Sequence, residues 1–218
     1  AGRDITGAGK VEFVVGATEI AFSGWTKRGY VPVYGAEIST KVFGVDVKSE
    51  CSLSEGANTP RYVGEGLLVG AEDRSGDLVP RATLTLTKSF DWDLADRITV
   101  IAEGLYNGAG YADDVLASPG RKAAIFMNNA YTPNWLSRWY GALFVSIAQF
   151  PDSTMTMSVN SMANLVDGSM IVSVALDWAP VNDLTLTGSV YALVGPDGRE
   201  YTQQGRGLVF DFMASIVF

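Results

Sequence analysis

The chain has 218 residues, 47% of them apolar, and its 24 acidic and 16 basic side chains give a formal charge of −8. Its lysines are scattered, so there is no basic stripe to neutralise phosphates and nucleic acid is not expected as a partner. One cysteine, Cys51, excludes an internal disulfide and reads as a small apolar group on a wall; there is no histidine.

Taken in chain order, the sequence alternates apolar and polar residues with a period of two, and helical periodicity is nearly absent. About twelve such segments are expected, beginning near residues 9, 18, 31, 44, 61, 79, 96, 138, 153, 168, 182 and 206. Val45, Val47, Cys51 and Leu53 oppose Asp46, Lys48, Glu50 and Ser52. Ala82, Leu84 and Leu86 oppose Arg81, Thr83, Thr85 and Thr87. Met170, Val172, Val174, Leu176 and Trp178 oppose Ser173, Ala175 and Asp177, and Leu208, Phe210, Phe212, Ala214, Ile216 and Phe218 oppose Asp211 and Ser215. Turn chemistry separates the segments, as in Lys27-Arg28-Gly29, Pro151-Asp152, Asp167-Gly168 and Gly195-Pro196-Asp197-Gly198, which predicts hairpins and an antiparallel sheet. Residues 107–137 form the one long connection, with room for a short helix near Lys122–Asn128. No apolar run approaches the ~18 residues of a spanning helix; the longest, GALFVSIA, covers 141–148.

A water-soluble β-sandwich also alternates, but its outer faces display many lysines and glutamates. Here the polar positions are largely threonine, serine and isolated charges, and many strands are near the ~10 residues of a tilted membrane strand. Aromatic residues stand where strands meet turns: Phe90 and Trp92, Tyr106, Trp139 and Tyr140, Phe150, Trp178, Phe218. Such rings suit the two water–lipid boundaries. The expected fold is therefore all-β, a closed antiparallel transmembrane barrel of about twelve strands, with apolar side chains toward lipid and polar ones toward the lumen.

The terminal strand, RGLVFDFMASIVF, resembles the closing strand of Gram-negative outer-membrane barrels. The resemblance implies that Phe212, Ile216 and Phe218 belong to the signal read by the outer-membrane assembly machinery. YNGAGYADD at 106–114, NAYTPNWLSRWYGALFVSI at 129–147 and SMANLVDGSMIVSVALDW at 161–178 are similar to the C-terminal half of a group of poorly characterised outer-membrane barrel proteins. Residues 1–218 accordingly read as one barrel domain, or as the C-terminal portion of a larger one. A periplasmic C-terminus places the links at 195–205, 165–169, 107–137 and 70–78 outside, together with 16–17 and 42–44, and the links at 179–183, 150–153, 90–96 and 55–60 inside.

The chemistry of the chain argues against an enzyme. Without histidine a Ser–His–acid set cannot form. Asp113-Asp114 and the trio Asp91, Asp93 and Asp96 are carboxylates in polar loops, the usual setting of solvated turn residues. DWDLAD lacks the glycine and distal glutamate of a calcium loop. Gly108-Ala109-Gly110 and Gly64-Glu65-Gly66 do not sit between a strand and a helix, so they are not nucleotide loops. No cofactor or metal is implied.

By parity, Glu12, Glu19, Glu37, Lys41, Asp46, Lys48, Glu50, Arg61, Glu65, Arg81 and Glu103 line the lumen from the first strands, and Asp177 and Asp211 from the later ones, with Tyr191, Val209 and Met213. The acidic excess favours cations if the pore is open. Segment 139–148 is apolar on both parities, which suits a wall facing the 107–137 loop folded inward, or a partner. The expected function is porin-like passive diffusion of small hydrophilic solutes or ions across a bacterial outer membrane. The alternative is a plugged barrel that anchors or scaffolds partner proteins. Expected partners are membrane lipids, the assembly machinery, and a partner protein or further copies of the chain.

Overall fold

The computed structural model describes residues 5–92 and 95–216, and the fold is all-β. The strands are β1 (Thr6–Val15), β2 (Thr18–Lys27), β3 (Val33–Val42), β4 (Val45–Glu55), β5 (Tyr62–Val63), β6 (Gly70–Ala71), β7 (Leu78–Trp92), β8 (Ala95–Asn107), β9 (Trp139–Ala148), β10 (Met155–Asn164), β11 (Ser169–Val181), β12 (Leu184–Val194) and β13 (Gly207–Ile216). Eleven of them make one antiparallel meander in the order β1-β2-β3-β4-β7-β8-β9-β10-β11-β12-β13. A ten-residue strand such as β1 rises about 33 Å, enough to cross a bilayer core when tilted. Among the described residues no helix is long and apolar enough to cross a membrane.

The segment expected to start a strand near 61 does not join this sheet. Tyr62–Val63 pairs with Gly70–Ala71 in a separate two-stranded ribbon. Gly64 and Gly66 adopt positive φ angles of 101° and 56°, which breaks the alternation before it can run the length of a wall strand. With that strand removed, residues 56–77 become a single link between β4 and β7, and every element before it changes sense. The links at 16–17 and 43–44, expected among the long loops, therefore lie at the opposite end of the sheet. They share that end with the C-terminal end of β7, 149–154 and 182–183. Residues 28–32, 56–77, 108–138, 165–168 and 195–206 share the other. One rim carries tight turns and the other the long loops, the division expected of a barrel wall. Phe43-Gly44 shows how the tight rim turns: both residues have positive φ, at 50° and 72°, the backbone of a two-residue hairpin that follows the strand twist.

Because the number of alternating strands is odd, β1 and β13 both run from the long-loop rim toward the tight-turn rim. They are the two edges of the sheet, which their hydrogen bonds do not close.

No second layer covers the apolar face. Val11, Phe13 and Val15 of β1, Phe22 of β2, Leu84 and Leu86 of β7, Leu176 of β11, and Phe210 and Phe212 of β13 are all exposed. The buried apolar cluster lies instead in the long loop 108–138, where Tyr111, Val115, Leu116, Ile125 and Leu136 pack together with Tyr62, Ala130 and Tyr131. Helix α1 (Pro119–Met127) contributes Ile125 to it. It starts at Pro119, whose fixed φ suits a first helical position, and is followed at Asn129 by a positive φ of 51°.

Loop 108–138 is stitched to its own stem. Tyr111 N–H donates to the Leu136 carbonyl at 3.0 Å and Arg138 N–H to the Tyr111 carbonyl at 2.8 Å. Gly110 permits this approach, since a Cβ there would stand 2.2 Å from the Ser137 carbonyl oxygen. Gly110→Ala is expected to cost roughly 1–3 kcal/mol locally. Limited trypsinolysis of folded protein would show it as faster cleavage after Arg121 or Lys122, and an unchanged rate would refute this role.

Candidate functional site

Strand register gathers the charged positions on one face. Glu12 lies across from Ala21, which lies across from Glu37; Glu37 faces Glu50, Glu50 faces Thr83, and Thr83 faces Leu105. The next row toward the long loops runs Lys10, Ser23, Gly35, Ser52, Arg81, Asn107 through the same pairings. Glu19, Lys41, Asp46, Lys48 and Glu103 share this face. So do Asp177 opposite Thr187 and Asp211 opposite Ser189, with Tyr191, Val209 and Met213 alongside.

Two residues expected in the wall are not there. Arg61 lies in the 56–77 excursion and holds Glu72 through two bonds, at 2.5 and 2.9 Å. That pairing keeps the Glu72 carboxyl below the ordinary carboxylate range. Glu65 is exposed at the start of the 3-10 turn Gly66–Leu68. Lys10, which the parity reading passed over, belongs to the polar face and pairs with Glu12 at 3.6 Å and Glu37 at 3.2 Å. Lys48 pairs with Glu50 at 2.5 Å and Lys41 with Asp46 at 3.3 Å. Acids still outnumber bases, and the charge is concentrated on β1 to β4.

The opposite face is apolar in the same register, with Tyr34, Tyr106 and Trp139 toward the long loops and Phe90 and Trp178 toward the tight turns. Cys51 stands on it, exposed, between Ala36 and Ala82. Lys88 is charged and shares this face: its ammonium reaches the tight-turn rim and donates to the Gly44 carbonyl at 3.0 Å, 5.9 Å from the centre of the Phe90 ring. A long side chain that carries its charge to the rim is what an apolar surface requires. Phe212 and Ile216 are exposed on this face; Phe218, Asp93 and the side chain of Asp96 lie outside the described residues.

The long-loop rim of the polar face is covered. Ser54, Val79, Asn107, Tyr140, Asn164 and Ser169, all at strand ends, are buried there. Arg74 is buried and clamps two loops, its Nη1 and Nη2 donating to the carbonyls of Ala109 and Gly108 at 3.1 Å each and its Nε to Asp77 at 3.0 Å. Asp113 is occupied by Arg121 at 2.6 Å within the same loop, and Asp114 by Arg199 at 2.5 Å, which latches the loop 108–138 to the loop 195–206. Burial raises the Asp114 carboxyl, and the ion pair offsets this only in part. Asn107 Nδ2 donates to the Trp135 carbonyl at 2.8 Å and draws residues 130–137 down toward the polar face. There Asn134 and Tyr201 line one small cavity with Glu103, Ala142 and Met162, which sets part of the dry β9 wall opposite the folded loops.

Glu200 is the centre of this cover. It is 6% exposed. Its Oε2 accepts from the Tyr140 hydroxyl at 2.8 Å and Asn164 Nδ2 at 2.7 Å, and its Oε1 accepts from Asn134 N–H at 2.8 Å. Its own N–H donates to Asp167 at 3.0 Å, and Asp167 also accepts from the Ser169 hydroxyl at 2.7 Å. One carboxylate thereby ties the loops 108–138, 165–168 and 195–206 to the rim. Burial drives its pKa upward against these hydrogen bonds, and the nearby Asp167 adds to the rise. Tyr201, whose hydroxyl donates to Asn134 Oδ1 at 2.5 Å, is held well above the ordinary phenol range by burial and then by Glu200. The partners of the Glu200 carboxylate lie 36 to 66 residues away in sequence, so no local motif announces it.

Among the described residues no group of three or more cysteines or carboxylates stands close enough to hold a metal ion. Comparison with protein-family models, curated proteins and solved structures finds no match for the chain.

A carboxyl whose pKa is raised on folding binds more protons in the folded loops than in the unfolded chain. Its contribution to stability is therefore greatest below the ordinary carboxylate value of about 4.3 and is lost as pH climbs through the raised one. Resistance of the loops to protease should fall as the pH rises above the ordinary carboxylate value. Glu200→Gln should flatten that dependence and cost roughly 1–3 kcal/mol through the acceptors it removes. An equal slope in wild type and variant would show that Glu200 is not the titrating group.

Proposed function

We propose that this chain forms the wall of a closed, porin-like β-barrel in a bacterial outer membrane and passes small hydrophilic solutes or ions along its polar face. One observation carries the reading: the charged side chains of the sheet gather on one face, most densely on β1 to β4, while the other face is predominantly apolar across all eleven strands and no protein layer covers it. Such a surface in water would be an association site along its whole extent, whereas against lipid it is matched. The tight-turn rim then faces the periplasm and the long-loop rim faces outward. Closure also supplies partners for the edge groups of β1 and β13, which hydrocarbon cannot satisfy. Phe212 and Ile216, with Phe218, supply the insertion signal.

Inside the proposed lumen, paired charges on β1 to β4 face water, and the excess of carboxylates favours cations. The Glu200-centred cover narrows the outer mouth. That same cover favours a second reading, a barrel sealed at its mouth that serves as an anchor or scaffold for partner proteins.

Folded protein in a planar bilayer should give stepwise, cation-preferring conductance, and Glu37→Gln or Glu103→Gln should weaken the preference. Replacing residues 112–135 with a short flexible link should raise the conductance. Silence from both folded proteins would overturn the pore reading, while silence from the wild type alone would favour the sealed barrel.

A further inference from the structure

Among the described side chains on the polar face, Lys10 pairs with Glu12 and Glu37, Lys41 with Asp46, and Lys48 with Glu50. Lys27, at the long-loop end of β2, lies 5.1 Å from the centre of the Tyr30 ring. Among the described residues the Arg81 guanidinium has neither an ion pair nor a hydrogen bond. It stands on β7 between Ser52 and Asn107, one row from the buried rim. A partly enclosed groove opens beside it, lined by Trp25 from β2, Val33 and Ser52 from the wall, and Thr132 and Trp135 from the loop folded over the mouth. The indole of Trp135 is brought there by its carbonyl, which the buried Asn107 holds at 2.8 Å.

We propose that Arg81, with Trp25 and Trp135 beside it, binds the carboxylate of a small ring-bearing solute at the mouth of the polar face. A guanidinium offers two parallel N–H donors that match a carboxylate, and flat indole surfaces accept the face of an aromatic ring or the apolar face of a sugar. Glu37 and Glu50 border the neighbouring part of the groove. Their charges are engaged by Lys10 and Lys48, which leaves the site open to a carboxylate, while inorganic phosphate has no ring for the indoles to hold. In a face with an acidic excess, Arg81 is thus a local station for the opposite sign. The inference rests on the proposed pore only in that solute reaches the groove through it.

The test uses the whole folded chain in detergent, titrated with benzoate, glucuronate, benzyl alcohol and inorganic phosphate, and followed by calorimetry and tryptophan fluorescence. At least one carboxylate should bind saturably, while benzyl alcohol and phosphate should not; benzoate against glucuronate tells an aromatic from a sugar acid. Arg81→Gln should weaken binding by about tenfold or more, as expected for loss of a charge-assisted pair, and Trp135→Leu should weaken it and remove most of the fluorescence change. Arg81→Lys, which keeps the charge and loses the fork, should fall between, and it decides the matter if the Gln variant does not fold. No saturation by either carboxylate up to the order of 10 mM, an affinity of only a few kcal/mol, would overturn the inference, as would wild-type affinity in the Arg81 variants. Conductance without ligand is recorded on the same preparation. Conductance with no carboxylate binding removes this site and leaves the pore, whereas binding without conductance removes the pore and leaves the site.

Discussion

Every pairing in the large sheet sets residues of one parity opposite residues of the same face, so eleven strands act as a single two-sided surface. A slip of one residue at any joint would carry a whole set of apolar side chains onto the charged side. Register is therefore the constraint on which the rest depends. It places Glu37 beside Glu50 and Thr83, brings Lys10 within reach of two carboxylates, and aligns the aromatic ends of the apolar face. The two irregularities, after Phe90 and after Trp178, fall near the tight-turn rim, where a local change of twist leaves the long rows intact.

Packing in the usual sense occurs elsewhere. The buried apolar cluster belongs to the long loop, and its side chains gather around α1 rather than beneath the sheet. Polar burial follows the same geography, since Asn107, Asn164, Ser169 and Glu200 are all enclosed at the covered rim. The side chains of these four are hydrogen-bonded, as low-dielectric surroundings demand. The paired charges of β1 to β4 remain wet, where each pair contributes little to stability and mainly shapes the local potential. The cover is thus the part of the molecule with a packed interior, and the sheet is held by its ladder.

The sheet was legible in the sequence because its signal is repeated. Eleven of the twelve expected strands lie close to their predicted starts, and the parity of Glu12 through Glu103, Asp177 and Asp211 follows from alternation alone. The failure at 61 is instructive. Tyr62, Val63 and the apolar residues up to Val69 imitate a strand, and only the conformations of Gly64 and Gly66 reveal the break; that single error reversed the predicted placement of the links at 16–17 and 43–44. Arg61 and Glu65 were carried into the wall by the same error. Glu200 was illegible for a different reason. Its meaning comes from Tyr140, Asn134 and Asn164, which only the folded loops bring to it.

The shared direction of β1 and β13 restricts how such a wall could become a ring. If the two edges met directly, the seam would be a parallel ladder, with slanted bonds, in an otherwise antiparallel cylinder. Copies arranged around a rotation axis would reproduce that joint at each junction, because rotation about the membrane normal preserves strand sense. Only an odd number of intervening strands would make every neighbour alternate.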